Sequence, residues 1–187
     1  TVDTAKLLLK DYTYHMYTTK SHGLEGKGDR FRIVMPISHI LKLSGNEYKE
    51  FMDNLFEWLP FDSDEQTGQR VCKWACNTGE FWYNDGELID ALQFIPATTK
   101  NEERKSSIKN LTNLDNLEKW FAMRMVEGQR SNEMIRFALM LVDTGMPIED
   151  VEDKVLALNN KLEEGLPEAE LAATVLRTAA RRFIDRG

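Results

Sequence analysis

The apolar and polar positions along the chain separate a first part with mixed periodicity from a second part that is helical throughout. In the first part, residues 12–19 (YTYHMYTT) and 30–36 (RFRIVMP) are rich in aromatic and β-branched residues, which predicts two paired strands. Alternate side chains of a strand share a face, so Arg30 and Arg32 are expected on the same face. The opposite face then carries the apolar side chains of Phe31, Ile33 and Met35.

Helical and turn signals surround these two strands. Residues 3–10 suit a short helix, and residues 43–60 repeat apolar side chains at three- and four-residue steps, with Ser44 as a helix cap. Asn84-Asp85-Gly86 lies between two apolar runs and predicts a β-hairpin turn. The first part is therefore α+β.

The second part begins after a polar stretch. Residues 98–113 are polar and short of large apolar groups, and they are interpreted as a linker between a domain at 1–97 and a domain at 114–187. Helical periodicity then continues to the end, with prolines in first-turn positions and glycines where helices end. The predicted helices lie near residues 114–127, 131–143, 147–164 and 167–186.

Charge is unevenly distributed along the chain. The formal net charge is −7, so the chain as a whole repels phosphate and any contact with an anion must use a local basic cluster. Such a cluster lies between the two predicted strands and contains Lys20, Ser21, His22, Lys27, Arg30 and Arg32. No apolar run approaches the length of a membrane span, and Cys72 and Cys76 alone cannot complete a four-ligand zinc site. These features favour a soluble, intracellular protein without membrane contact.

The basic cluster has two interpretations. Lysine, arginine, histidine and glycine-rich backbone provide the donors and the close approach that a triphosphate needs. However, the glycines of HGLEGKGD match neither the phosphate-loop pattern nor the dinucleotide fingerprint, so a solvated hairpin loop remains the alternative.

Individual polar residues give weaker signals. His22 could be a base, a metal ligand or a phosphate donor, and donor fits best because His15 and His39 are too scattered to pair with it on one strand. His15 is expected to be packed. Asp62 follows an apolar run, but one carboxylate is insufficient for a divalent ion, so spacing alone makes it an ordinary turn residue.

Several motifs together resemble the phage- and plasmid-encoded primase-polymerases of the archaeo-eukaryotic primase superfamily. YHMYTTKSHG, GDRFRIVMPIS, FDSDEQTGQR and LIDALQFIPAT are similar to the palm of these enzymes. EGQRSN and LPEAEL are similar to the starts of two helices in the primase C-terminal helical domain. The resemblance implies part of a palm, with an RRM-like antiparallel sheet and helices, followed by a small all-α domain.

The resemblance also implies roles for residues. Ser21 and His22 correspond to the family's second motif, in which the histidine contacts the phosphates of the incoming nucleotide. The usual one-residue gap between the two is absent, so Lys20 or Thr19 is the alternative at the serine's place. The resemblance also implies that Arg30, Arg32 and Arg70 bind the triphosphate. It implies that the Asp62 carboxylate helps to hold Mg²⁺ or Mn²⁺.

The family's first motif, an acidic pair that binds two divalent ions, has no counterpart between Thr1 and Lys10. The resemblance therefore implies a fragment of a DNA primase-polymerase that is inactive alone because upstream residues are missing. Its expected partners are nucleoside triphosphates, a single-stranded DNA template and a replicative helicase, in the cytoplasm of a bacterial host. The alternative is a non-catalytic replication module that binds DNA or a helicase, with a basic end formed by Arg177, Arg181, Arg182 and Arg186.

Overall fold

A computed structural model describes residues 1–63, 79–109, 111 and 113–186. Strands and helices both occur, which confirms the predicted α+β class. The chain divides into two compact units, the first formed by Thr1–Leu55 with Ser63–Glu102 and the second by Phe56–Asp62 with Glu103–Gly187. The predicted domain boundaries at 97 and 114 remain predictions.

Within the part of the chain described, the first unit contains a three-stranded antiparallel sheet in the order β2-β1-β3. The strands are β1 (Tyr14–Thr18), β2 (Phe31–Val34) and β3 (Phe81–Asn84). The predicted pairing of the first two strands is confirmed, with Tyr17 opposite Arg32. The central position of β1 gives it a partner on both sides.

One face of this sheet belongs to the core of the first unit. Tyr14, Met16 and Thr18 on β1 are almost fully buried. Helix α1 (Val2–Leu8) lies on this side, since Lys6 Nζ is 3.9 Å from the centre of the Trp82 ring. The predicted alternation of β2 is confirmed here, because Phe31 and Ile33 stand opposite Thr18 and Met16.

Helix α2 (Gly45–Trp58) begins as the sequence predicted. The Ser44 amide donates to Glu47 Oε2 at 2.8 Å, and the Glu47 amide donates to Ser44 Oγ at 3.4 Å. This reciprocal capping arrangement satisfies two donors that the first turn would otherwise leave unpaired. The hydrogen bond from Ser44 also lowers the pKa of the Glu47 carboxyl.

The predicted hairpin at residues 84–86 is wrong. Strand β3 ends at Asn84 and pairs with β1, whereas Glu87 forms an isolated parallel bridge with Tyr12. The Asn84 side-chain amide donates to the carbonyls of Lys10 and Tyr12 at 2.9 and 2.7 Å. These contacts hold the turn at residues 84–86 against the α1–β1 connection. The chain therefore does not fold back to form a hairpin there.

A short 3₁₀ turn (Ala91–Gln93) follows the sheet and is capped by Asp90, whose carboxylate accepts from the Leu92 amide at 3.1 Å. Lys100 Nζ donates to the same carboxylate at 2.6 Å. This hydrogen bond is the main cause of the lowered pKa of Asp90.

Acid is expected to remove the stability that Asp90 contributes. A carboxyl whose pKa is lower in the folded state stabilises the fold above its unfolded pKa, near 3.9, and loses that contribution as pH falls through the folded value. We therefore expect Asp90→Asn to unfold at a lower urea concentration than wild type at pH 6, with a shrinking difference below about pH 4. Urea titrations at several pH values test this, and a difference that grows towards low pH would contradict it.

The second unit is helical among its described residues. Its elements are α4 (Asn116–Ala122), α5 (Arg130–Asp143), α6 (Ile148–Lys161), α7 (Glu168–Glu170), a π-helical segment (Leu171–Leu176) and α8 (Arg177–Arg186). The helices expected in this region are confirmed, except that the final stretch is not one uniform α-helix. The core contains Phe121, Met134, Phe137, Leu141, Val151, Val155, Leu158, Leu171, Val175 and Ala179.

Residues interpreted as a linker include a helix, α3 (Thr99–Lys109). Asn101, Arg104 and Ile108 are buried along it at three- and four-residue spacings. In the second unit, Arg104 Nη1 forms an ion pair with Glu57 Oε2 at 3.1 Å. Apolar periodicity could not reveal this helix, because most of its buried positions are polar.

Candidate phosphate-binding loop

The connection between β1 and β2 is a loop closed by its own backbone hydrogen bonds. The Thr19 amide donates to the Arg30 carbonyl at 2.8 Å, and the Gly23 amide donates to the Gly28 carbonyl at 3.2 Å. Gly23 and Gly28 have φ angles of 69° and 60°, in the left-handed region that other residues adopt less easily. The two glycines therefore allow the backbone to follow this closed path.

His22 and Arg30 meet at the base of this loop. The Arg30 amide donates to His22 Nδ1 at 3.1 Å, and the His22 amide donates to the Thr19 carbonyl at 3.0 Å. Because Nδ1 accepts, the neutral imidazole carries its proton on Nε2. His22 can thus offer an N–H donor without being charged.

The other basic residues lie along the same connection. Arg30 Nε donates to the Lys27 carbonyl at 3.1 Å, which holds the exposed Arg30 side chain against the loop. Arg32 is half-buried on β2, while Lys20 is exposed and Ser21 is half-buried in the turn before His22. This loop and its adjoining strand therefore carry five of the residues predicted to contact phosphate, which are Lys20, Ser21, His22, Arg30 and Arg32, and a hydrogen bond joins two of them, His22 and Arg30.

The carboxylate predicted as a metal ligand belongs to the second unit. Asp62 is exposed, and its Oδ1 accepts a hydrogen bond from the Asn116 side chain at 3.1 Å. Across residues 1–63, 79–109, 111 and 113–186, no group of three or more His, Cys, Asp or Glu side chains is arranged to hold a metal ion. Arg70, Cys72 and Cys76 lie outside the described residues.

Two motifs of the second unit contact each other although they lie far apart in sequence. At the start of α5, Arg130 forms an ion pair with Glu164, and Ser131 donates a hydrogen bond to Glu170. These contacts join EGQRSN to the segment that contains LPEAEL.

The α6–α7 connection is fixed by one buried amide. Asn159 Oδ1 accepts from the Leu166 amide at 2.7 Å, and Asn159 Nδ2 donates to the Leu166 carbonyl at 3.0 Å. Gly165 packs tightly against the Asn159 backbone, since a Cβ at this position would lie 2.6 Å from the Asn159 carbonyl oxygen. The glycine thus has a steric role, and it does not end the helix as predicted, because α6 ends at Lys161.

The arginines near the end of α8 have structural partners. Arg182 Nε donates to Asp143 Oδ1 at 3.0 Å, and this hydrogen bond raises the pKa of the guanidinium. Arg186 Nη1 donates to the Val142 carbonyl at 2.8 Å, in the last turn of α5. Two of the four arginines proposed as a basic end therefore bind α5, whereas Arg177 and Arg181 are exposed.

Comparison with known proteins finds a similarity within the second unit. Residues 121–185 match the family model described as Primase C terminal 1. No curated protein and no solved structure matches the chain. The helical region is therefore similar to a primase-associated C-terminal domain, which supports a relation to primases and DNA replication. Among the described residues, every helix is too short or too polar to cross a membrane.

Sequence reasoning missed one surface of the first unit. Phe81 and Tyr83 on β3 are about three-fifths exposed, and His15 is exposed instead of packed in the interior. The two-residue spacing of Phe81 and Tyr83, with Trp82 between them, is the strand signal that could have revealed a shared face.

Proposed function

We propose that the chain is part of a DNA primase-polymerase for phage or plasmid replication. Its reaction would be metal-dependent nucleotidyl transfer from a ribo- or deoxynucleoside triphosphate to a 3′ hydroxyl on a single-stranded DNA template. The match of residues 121–185 to a primase C-terminal family supports the relation to replication. The nucleotide proposal rests on the hydrogen bond from the Arg30 amide to His22 Nδ1. This bond leaves His22 Nε2 as an N–H donor in a loop rich in cations.

The loop's role would be to bind the triphosphate. His22 Nε2 would donate a hydrogen bond to a phosphate oxygen, while Lys20, Arg30 and Arg32 would reduce its negative charge. The 3′ hydroxyl oxygen would bond to the α-phosphorus and lose its proton to solvent while the bond from that phosphorus to the bridging oxygen breaks and diphosphate leaves. Donors placed on the phosphates would stabilise the charge that moves onto this leaving group. The described residues offer only Asp62 of the predicted metal ligands, so we assign no step of the reaction to Mg²⁺ or Mn²⁺.

Removing a cation or donor from the loop is expected to weaken triphosphate binding. A charge-assisted hydrogen bond contributes roughly 1.5–3 kcal/mol, so Arg30→Ala and His22→Ala should each raise the Kd of a deoxynucleoside triphosphate by about tenfold or more. The measurement is calorimetric titration of the 187-residue protein, with melting temperatures recorded for each variant.

Matched controls separate this role from general electrostatics. Lys42→Ala and Lys49→Ala remove exposed cations of the first unit that lie outside the loop, and we expect them to leave the Kd almost unchanged. An equal loss in Arg30→Ala, Lys42→Ala and Lys49→Ala would indicate only a charge effect. Unchanged affinity in both His22→Ala and Arg30→Ala would refute the phosphate-binding role of the loop.

A non-catalytic replication module is the second candidate. It is favoured by the position of the family match, which lies entirely within the second unit. Such a module would bind DNA or a helicase through its helices and would not need the loop. Binding of DNA that survives all loop substitutions but is lost in Arg177→Ala/Arg181→Ala would support this candidate over the enzyme.

A further inference from the structure

The outward face of the sheet carries rings where a solvated sheet normally carries polar side chains. Residues opposite each other across antiparallel strands point to the same side, and the side not buried in the core is lined by His15, Tyr17, Arg32, Val34, Phe81 and Tyr83. We call these six residues the aromatic face. Phe81 is 61% exposed, Tyr83 is 59% exposed and Val34 is 49% exposed. Exposed apolar patches commonly mark interaction sites, so the aromatic face is a candidate binding surface.

The rings of the aromatic face form two rows across β1 and β3. The Tyr17 and Phe81 rings are stacked, with centroids 5.9 Å apart and planes at 27°. The His15 and Tyr83 rings are 4.8 Å apart and tilted by 41°. Residues two positions apart on a strand are separated by roughly 7 Å, so the two rows provide adjacent but distinct surfaces for planar groups.

Positive charge lies at one end of this face. Arg32 stands opposite Tyr17 in the row that contains Phe81. The next backbone hydrogen bond, from the Thr19 amide to the Arg30 carbonyl, closes the β1–β2 loop. Lys20, Lys27 and Arg30 are exposed in this loop. A chain with a net charge of −7 therefore places cations beside its exposed rings, which suits a ligand that has both planar bases and phosphates.

We propose that the aromatic face binds single-stranded DNA by stacking one base on the Tyr17–Phe81 row and the next on the His15–Tyr83 row. Every base has a π-face, so exposed rings on a sheet can bind a single strand without reading its sequence. The adjoining cations contact the phosphates. The inference rests on the proposed function only in taking a nucleic acid as the partner, and it requires no nucleotidyl transfer.

The composition favours DNA over a protein partner. Four of the six side chains are flat rings, and the single aliphatic one, Val34, lies at the margin on the edge strand β2. A protein-docking surface can also use aliphatic groups, whereas base stacking needs rings. This difference can be measured directly.

The test is binding of a fluorescently labelled oligodeoxythymidine to the 187-residue protein, followed by anisotropy. Phe81→Ala and Tyr83→Ala should each weaken binding by about fivefold to a hundredfold, the range for loss of one stacked base. Phe81→Trp should bind at least as tightly as wild type, whereas Phe81→Leu should bind as weakly as Phe81→Ala. Ile40→Ala, which removes a fully exposed side chain of the same unit away from the strands, should have no effect.

An oligonucleotide of abasic sites isolates the stacking contribution. It keeps the phosphates but has no bases, so wild type and Phe81→Ala should bind it equally. If the two proteins differ on the abasic strand by as much as on oligodeoxythymidine, or if Phe81→Leu binds like wild type, base stacking is refuted. Self-association in sedimentation that is lost in Phe81→Ala, without base-dependent binding, would assign the face to a second copy and also refute the proposal.

The same variants keep this proposal separate from the proposed enzyme function. Tyr83→Ala leaves the loop intact, so it should bind a deoxynucleoside triphosphate as wild type does while binding oligodeoxythymidine less tightly. Triphosphate binding without any oligonucleotide binding would refute the aromatic face alone. Base-dependent oligonucleotide binding without triphosphate binding would refute the phosphate-binding loop alone.

Discussion

Trp120→Ala is expected to lower the free energy of unfolding of the second unit by about 3–5 kcal/mol, the usual cost of truncating a buried tryptophan. Trp120 is 2% exposed, and its ring centre lies 4.6 Å from that of Trp58. The guanidinium carbon of Arg124 lies 3.6 Å from the same ring, and Arg124 Nη1 donates to the Trp120 carbonyl at 2.8 Å. Truncation removes a large apolar contact and also the ring over which a half-buried cation is placed.

Urea unfolding followed by far-UV circular dichroism measures this loss, because the second unit supplies much of the helical signal. Phe183→Ala is a matched control in the same unit, since its side chain is already 40% exposed and should contribute far less. Similar losses in the two variants would mean that Trp120 is not part of the stabilising core.

Gly86→Ala is expected to destabilise the first unit by roughly 1–3 kcal/mol, the usual cost when an added methyl group forces backbone to shift. A Cβ at Gly86 would lie 2.5 Å from the Asp11 carbonyl oxygen and 2.9 Å from the Tyr12 carbonyl carbon. The backbone would have to move. That movement would disturb the hydrogen bond from the Gly86 amide to Thr13 Oγ1 and the bond from Thr13 Oγ1 to the Gly86 carbonyl, at 3.0 and 2.7 Å.

Gly45→Ala is the control for this substitution. Gly45 lies in the first turn of α2, where an added Cβ would meet no atom within 4 Å, so alanine should be neutral or slightly stabilising. Hydrogen exchange of the β1 and β3 amides would locate the effect. Faster exchange in Gly86→Ala than in Gly45→Ala is expected, and equal exchange would show that the close approach carries no energetic cost.

The helices of the second unit could be predicted because their apolar stripes and their terminal prolines and glycines agree. Val151, Val155 and Leu158 are fully buried at the spacing that the pattern indicates. Strands β1 and β2 were predictable for the same reason, since aromatic and β-branched residues alternate there. In each case the local pattern and the final packing favour the same structure.

The failures come from interactions that a local pattern does not contain. The Asn84-Asp85-Gly86 sequence favours a hairpin by itself, but the Asn84 amide instead satisfies two backbone carbonyls more than seventy residues earlier. Helix α3 buries Asn101 and Arg104, which count as polar in any periodicity analysis.

The candidate site shows the same contrast. The composition of the β1–β2 loop could be seen in the sequence, but the hydrogen bond from the Arg30 amide to His22 Nδ1 could not. That bond depends on the path of the loop, which is set by residues with left-handed φ angles. The aromatic face was missed because β3 was interpreted as one arm of a hairpin, and its pairing with β1 determines which rings share a side.

The position of β3 also affects how copies of the protein behave in concentrated solution. Among the described strands β3 is an edge, and it presents the exposed rings of Phe81 and Tyr83 to a neighbouring molecule. The net charge of −7 opposes such encounters by colloidal repulsion, whose range is about 10 Å at 0.1 M salt and about 3 Å at 1 M. Concentrated salt would therefore bring these edges within reach of one another, and dilute buffer keeps them apart.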